Sequence, residues 1–286
     1  IDNIKCLSIS GYSKEIDFKK DVFYEFLKNP RINWRKIHSL FVAQFLKIVV
    51  KKGDKDPSKS PIFLIIDDSM LEKSGKKIEF IGKVFNHCSH TYKLGIKLLN
   101  IGLWDGNNFI PVDFSLHNEP GKNKKRGLKI AELQNQFTKE RTPDEAGFER
   151  TLQVSQDKIE TALSMIKRAI KQKIKPEYVL ADSWFICEKF IKEITQIKLD
   201  KNKTTHVIGL MKSNRIITLH HNKININKVP EIKQKQIKYS QKLGCHYLSF
   251  SVDYKGIKMR MFWIKFKGQN TWKTLISTND KLTFIK

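Results

Sequence analysis

Ile65-Ile66-Asp67-Asp68-Ser69 and Val179-Leu180-Ala181-Asp182-Ser183 are the two stretches that decide the fold of this chain. Each is a run of strand-forming residues that ends on a carboxylate. A buried strand that ends on an unpaired charge is heavily penalised, so an acid in that place calls for a partner. Residues 61–67 are continuously apolar up to Asp67, the pattern of a strand buried on both faces. Residues 92–103 and 109–116 read as two more strands, joined by Trp104-Asp105-Gly106-Asn107-Asn108, whose Asp-Gly is a hairpin signal. A helix follows with Ile159, Ala162, Leu163, Ile166, Ala169 and Ile170 on one face and Ser155 as its N-cap. The strand 178–181 then delivers Asp182, and a helix carrying Ile186, Phe190, Ile194 and Ile197 leads to a strand at 205–210.

Three antiparallel strands followed by alternating helices and parallel strands make a mixed α/β sheet. Right-handed crossovers put the strand that ends in Asp182 beside the strand that ends in Asp67. Their carboxyl ends then meet at one sheet edge, where α/β folds commonly place ligands.

The flanks differ from this core. Residues 1–57 read as a helical N-terminal region. Phe18, Val22 and Phe26 share one helix face, while Trp34, Ile37, Phe41, Phe45 and Ile48 share a second. Asn29-Pro30 separates the two helices, and a polar linker around Gly53 ends the second. The remainder, 58–286, reads as one catalytic domain. Its segment 120–150 is polar, basic and poorly periodic, an exposed excursion. From about 215 to 267 the pattern turns to β, a hairpin-rich insertion before a last strand at 274–277.

The balance of 54 Lys+Arg against 29 Asp+Glu leaves a net charge of +25, a field that attracts polyanions, with DNA foremost. Part of that excess reflects a lysine- and isoleucine-rich composition. No apolar run is long enough to span a bilayer, and a membrane role is not expected. The four cysteines have neither zinc-site nor disulfide spacing, which fits a reduced, cytoplasmic chain. In a basic protein, two strand-end acids are suited to holding Mg²⁺ or Mn²⁺ against a phosphodiester. A two-metal site activates the attacking oxygen and stabilises the leaving one, and hard oxygen ligands suit it.

Ile65-Ile66-Asp67-Asp68-Ser69-Met70-Leu71-Glu72-Lys73-Ser74-Gly75-Lys76 resembles the first-aspartate segment of DDE transposases from bacterial insertion sequences. Tyr178-Val179-Leu180-Ala181-Asp182-Ser183-Trp184-Phe185 resembles their second. The stretches 85–93, 102–106 and 111–115 are similar to the strands between them, and the likeness runs over roughly residues 15–286. It implies an RNase H-like catalytic domain with a β insertion, Mg²⁺-bound acids that nick and join transposon ends, and double-stranded DNA as partner, with a possible homodimer in the DNA complex. The family pattern of aspartate, any residue, then Ser or Thr selects Asp67 over Asp68, which would face the other way in a strand. Asp182 matches the second aspartate.

The family's third acid is a Glu on a helix after the insertion, within a Tyr, Arg, Glu and Lys motif. No residue of this chain matches it, since Glu188 and Glu193 come too early. The expectation is a chain that stops short of that helix at Leu282-Thr283-Phe284-Ile285-Lys286. The alternatives are a DNA-binding product of the element without catalysis and a different RNase H-like nuclease. Lys212 and Arg215 lie where the family contacts transposon-end DNA. Lys122, Lys124, Lys125 and Arg126 can follow a phosphate backbone or simply be loop. Trp263 and Trp272 can stack on an unpaired base, although Trp263 alternates with apolar neighbours as a core residue does. His87 and His90 lack metal spacing and are expected to pack on strands.

Overall fold

A computed structural model describes residues 19–52, 61–119, 127–200 and 203–284. Two helices come first, α1 (Lys20–Lys28) and α2 (Trp34–Lys52). They precede the strands β1 (Phe63–Glu72), β2 (Gly82–Asn86), β3 (Thr91–Trp104) and β4 (Phe109–His117). Two short helices, α3 (Ile130–Gln134) and α4 (Phe148–Gln153), lead to α5 (Lys158–Lys171), β5 (Tyr178–Ala181) and α6 (Glu188–Thr195). A small ribbon of β6 (Lys198–Asp200) and β7 (Lys203–Thr204) precedes β8 (His206–Met211). The β-rich insertion comprises β9 (Ile216–Leu219), β10 (Asn222–Asn225), the short α7 (Val229–Ile232), β11 (Lys238–Ser240), β12 (Cys245–Tyr254) and β13 (Ile257–Phe266). After it comes β14 (Lys273–Ser277).

Five strands carry the fold, in the order β4-β3-β1-β5-β8. The first three are antiparallel, and β5 and β8 run parallel to β1. This is the RNase H-like order. The insertion does not stand apart: β14 pairs with β8, and β13, β12, β9 and β10 continue the same sheet.

Burial alternates along β1 as a strand's period of two requires. Leu64 and Ile66 are fully buried under α5 and α6, worth about 1.5–3 kcal/mol each. Ile65, on the other face, is only half-buried. The continuous apolar run predicted burial on both faces. Instead, Ile65, Leu180, Ile208, Leu210 and Leu275 form an apolar strip that the described residues leave half-exposed. At Gly209 of β8 the sheet is too tight for any side chain: a Cβ there would lie 2.6 Å from the Ala181 carbonyl oxygen and 2.5 Å from Ile186.

Other expectations shift in detail. The N-cap of α5 is Asp157 rather than Ser155; its carboxylate accepts from the Ile159 and Glu160 amides, at 2.8 and 3.1 Å. His87 and His90 are not on strands but exposed in the turn between β2 and β3, where His90 takes a positive φ of 52°. Part of the 120–150 segment is anchored, because Arg141 grips Glu79 with both terminal nitrogens at 2.9 and 2.7 Å. Phe18, Gly53 and the cations Lys122, Lys124, Lys125 and Arg126 lie outside the described residues. The stripe Phe41, Phe45 and Ile48 of α2 faces outward, while Val42 and Leu46 pack on the core.

Below α2, α4 and α5 lies a deeply buried charge of the sheet. Asp113 of β4 is 6% exposed and bound by Arg168 at 2.7 Å and Arg35 at 3.5 Å. Arg35 also donates to Gln153 at 2.7 Å, so one carboxylate ties two helices to the sheet. Asp113→Ala strands two desolvated guanidinium groups, and urea denaturation is expected to show a loss of about 3–5 kcal/mol. A loss within error of zero would mean that the network does not hold these helices.

Candidate functional site

The parallel register sets Ile66 beside Ala181, so the next residue of each strand is an aspartate. Asp67 and Asp182 open together on a shallow cleft of about 420 Å³, floored by Ile65, Leu180, Ile208, Leu210 and Leu275. Burial raises the Asp67 carboxyl above its ordinary value, and the negative charges of Asp68 and Asp182 push it the same way. The Asp68 backbone N–H, 2.9 Å from Asp67 Oδ1, opposes that rise. No lysine or arginine pairs with either Asp67 or Asp182 among the described residues, whereas most other acids near the sheet have such a partner.

Asp68 shows the contrast. One residue along a strand reverses the face, and Asp68 points beneath α5, where Lys158 Nζ lies 2.6 Å from its carboxylate. Both side chains are largely buried, with 15% and 25% exposure. Asp68 is thus already neutralised, and Asp67 alone of the two faces the cleft with Asp182.

The chemistry of the donors fits a divalent cation in one respect: two hard oxygen donors line one cleft without a cationic partner among the described residues, and a bound Mg²⁺ would relieve their repulsion. They make an incomplete ligand set by themselves. Among the described residues no third His, Cys, Asp or Glu completes a cluster with them. Glu188 is paired with Lys192 and Lys255, and Glu193 with Lys167.

The remaining candidates separate. Lys212 is exposed at the end of β8 and lines a second cleft of about 210 Å³ with Ser183, Ser213, Trp272 and Lys273. This cleft adjoins the first at Leu210. Arg215 lies three residues on, half-buried, with its Nε enclosed and without a hydrogen-bond partner. Trp263 is a correction: it is fully buried, and its indole N–H donates to the Ile226 carbonyl at 3.0 Å, so it packs the insertion and has no free face for a base. Trp272 is partly exposed beside Lys273.

Three nearby residues escaped sequence reasoning. Lys158 and Lys273 carried no signal, because nothing local tells a helix-start lysine that it will meet Asp68 or a strand-start lysine that it will line a cleft. Trp184 stood in the second-aspartate motif itself and was read only as part of it.

His117, at the end of β4, is 1% exposed, with only the Gln156 backbone in hydrogen-bonding range of its ring. Burial first, then the charge of Lys158, lowers its pKa from 6.5 to about 4. The fold therefore prefers neutral His117. Its contribution is complete above pH 6.5 and is lost as pH falls from 6.5 towards about 4. His117→Met is expected to remove on the order of 2 kcal/mol of this acid sensitivity, after discounting for solvent screening. Stability curves at several pH values check this; an unchanged slope would count against a buried neutral imidazole.

Comparison with known proteins adds to this geometry. A family model described as "DDE superfamily endonuclease" matches residues 7–234, most of the chain. No curated protein matches in sequence. Among solved structures, endonuclease V of Ciona intestinalis, in complex with a 24mer DNA containing an inosine followed by a ribo-adenosine, is 11% identical. That match covers 82% of this chain and 81% of that one with a TM-score of 0.32. Endonuclease V of Bacillus subtilis is also 11% identical, covering 81% of this chain and 73% of that one with a TM-score of 0.28. Neither score is high enough to carry a fold assignment, which rests on the strand order. With most of its length matched, the chain belongs to the DDE superfamily endonucleases.

Proposed function

We propose that this protein is a DDE-type transposase of an insertion sequence, which cuts and joins DNA strands with Mg²⁺ or Mn²⁺ held at Asp67 and Asp182. Family membership supports the coarser part, a metal-dependent nuclease. The observation that carries the site is the shared cleft of two unpaired carboxylates from adjacent parallel strands.

In this reading the metal supplies Lewis-acid stabilisation to the oxygens of an in-line displacement. The residues of the chain do the rest. Asp67 and Asp182 hold their carboxylates towards one point because the β1–β5 pairing fixes both backbones. Lys158 keeps Asp68 turned away, so that a third negative charge does not compete for the same cation. Lys212 and Lys273, in the adjoining cleft, offer ammonium groups to neighbouring phosphates of a bound strand.

The transposase reading goes beyond nicking, because a strand-transfer enzyme joins the freed 3′-hydroxyl to a second DNA. A second reading, DNA binding without cleavage, draws on one observation: no third acid joins the pair among the described residues.

Asp67→Asn and Asp182→Asn are each expected to abolish Mg²⁺-dependent cutting and joining of element-end DNA, with DNA affinity changed less than about threefold, since phosphate contacts by cations dominate binding. Joined products from the unsubstituted protein, seen on denaturing gels, support the transposase; nicked products alone support a nuclease. Binding without either supports the second reading. Undiminished cutting by both variants would remove Asp67 and Asp182 from the mechanism.

A further inference from the structure

Asp182 is followed by a tight turn. The Phe185 amide donates back to the Asp182 carbonyl at 3.0 Å, and the Cys187 amide donates to the Phe185 carbonyl at 2.8 Å. Phe185 and Ile186 enter the core at 1% exposure each. Trp184, immediately before them, remains 43% exposed. It is not free to fold inwards, because its ring stands edge-on to Phe185 with centroids 5.0 Å apart and planes at 82°. Lys158 Nζ sits 5.6 Å from the indole centroid while also binding Asp68.

A large indole thus packs against Phe185 just past the carboxyl end of β5 with much of its surface in water. The other exposed tryptophans are placed differently. Trp104 packs on Phe63 at the start of β1, the far edge of the sheet, and Trp34 stands edge-on to Phe26 in the helical pair. Only Ser183 separates Trp184 from Asp182, so their Cα atoms are at most about 7 Å apart.

We propose that Trp184 stacks on an unpaired nucleobase of the DNA substrate, next to the phosphodiester addressed by Asp67 and Asp182. This rests on the DNA-cleavage reading above. Stacking needs only a π-face, so the residue recognises an unstacked base rather than a particular sequence. It favours strands already melted or distorted at the site of cutting.

The test uses the full chain, a short single-stranded oligodeoxynucleotide, and an abasic strand of equal length and charge. Trp184→Leu is expected to weaken binding of the base-bearing strand on the order of tenfold and to leave abasic-strand binding unchanged; Trp184→Phe retains most of the affinity. With 5-fluorotryptophan incorporated, the ¹⁹F resonance that disappears in Trp184→Phe is expected to shift with the base-bearing strand and not with the abasic one, a readout that holds even if Trp184→Leu fails to fold. Equal affinities of wild type and Trp184→Leu for the base-bearing strand, or no base-dependent shift of that resonance, overturns the stacking role and leaves the nuclease reading standing. Failure of the wild-type chain to bind either strand overturns both.

Discussion

The parallel pairing of β1 with β5 is the constraint on which the site depends. Four residues of each strand pair in register, ending with Ile66 against Ala181. That register brings together two carboxylates far apart in the chain. It survives because the same residues serve the core: Leu64, Ile66, Val179 and Ala181 are buried beneath the helices, and the alternate positions carry the cleft floor. A slip of one residue would turn Asp67 under α5 and expose Ile66, so hydrophobic burial enforces the geometry of the acids. Gly209 contributes from the next strand, allowing β8 to approach Ala181 more closely than any other residue would.

Electrostatics then distinguishes two adjacent aspartates. Asp68 meets Lys158 and is neutralised within the fold, while Asp67 has partial burial, the charges of Asp68 and Asp182, and a single backbone N–H but no cation among the described residues. The neutral His117 is buried on the same underside, within the field of Lys158 and Asp68.

Much of this was legible in the sequence for a definite reason. The order of strands and helices, with right-handed crossovers, sufficed to predict that Asp67 and Asp182 are neighbours, because the apolar runs before them are too regular to be anything but strands. The period of two set Asp67 and Asp68 on opposite faces and the family pattern chose Asp67, while Lys158 as the partner of Asp68 required the fold. Other features were hidden because tertiary context decides them. The half-exposed strip beside the acids reads in sequence as a strand buried on both faces. The outward stripe of α2 reads as a core face, since hydrophobic spacing does not say which side meets the sheet. Trp263 and Trp184 are equally aromatic in sequence. Only packing separates the one whose N–H is spent on Ile226 from the one left half-exposed just after Asp182.

The central claim is that Asp67 and Asp182, and not Asp68, share one divalent-cation site. Titration of the chain with Mn²⁺, followed through the side-chain carboxyl ¹³C resonances of labelled aspartates, tests it most directly. The account predicts that the Asp67 and Asp182 signals broaden together at the lowest Mn²⁺ concentrations, and that Asp68, behind the strand and bound to Lys158, broadens later. Broadening of Asp68 first, or of Asp67 and Asp182 only at the concentrations that affect scattered surface acids, would contradict it.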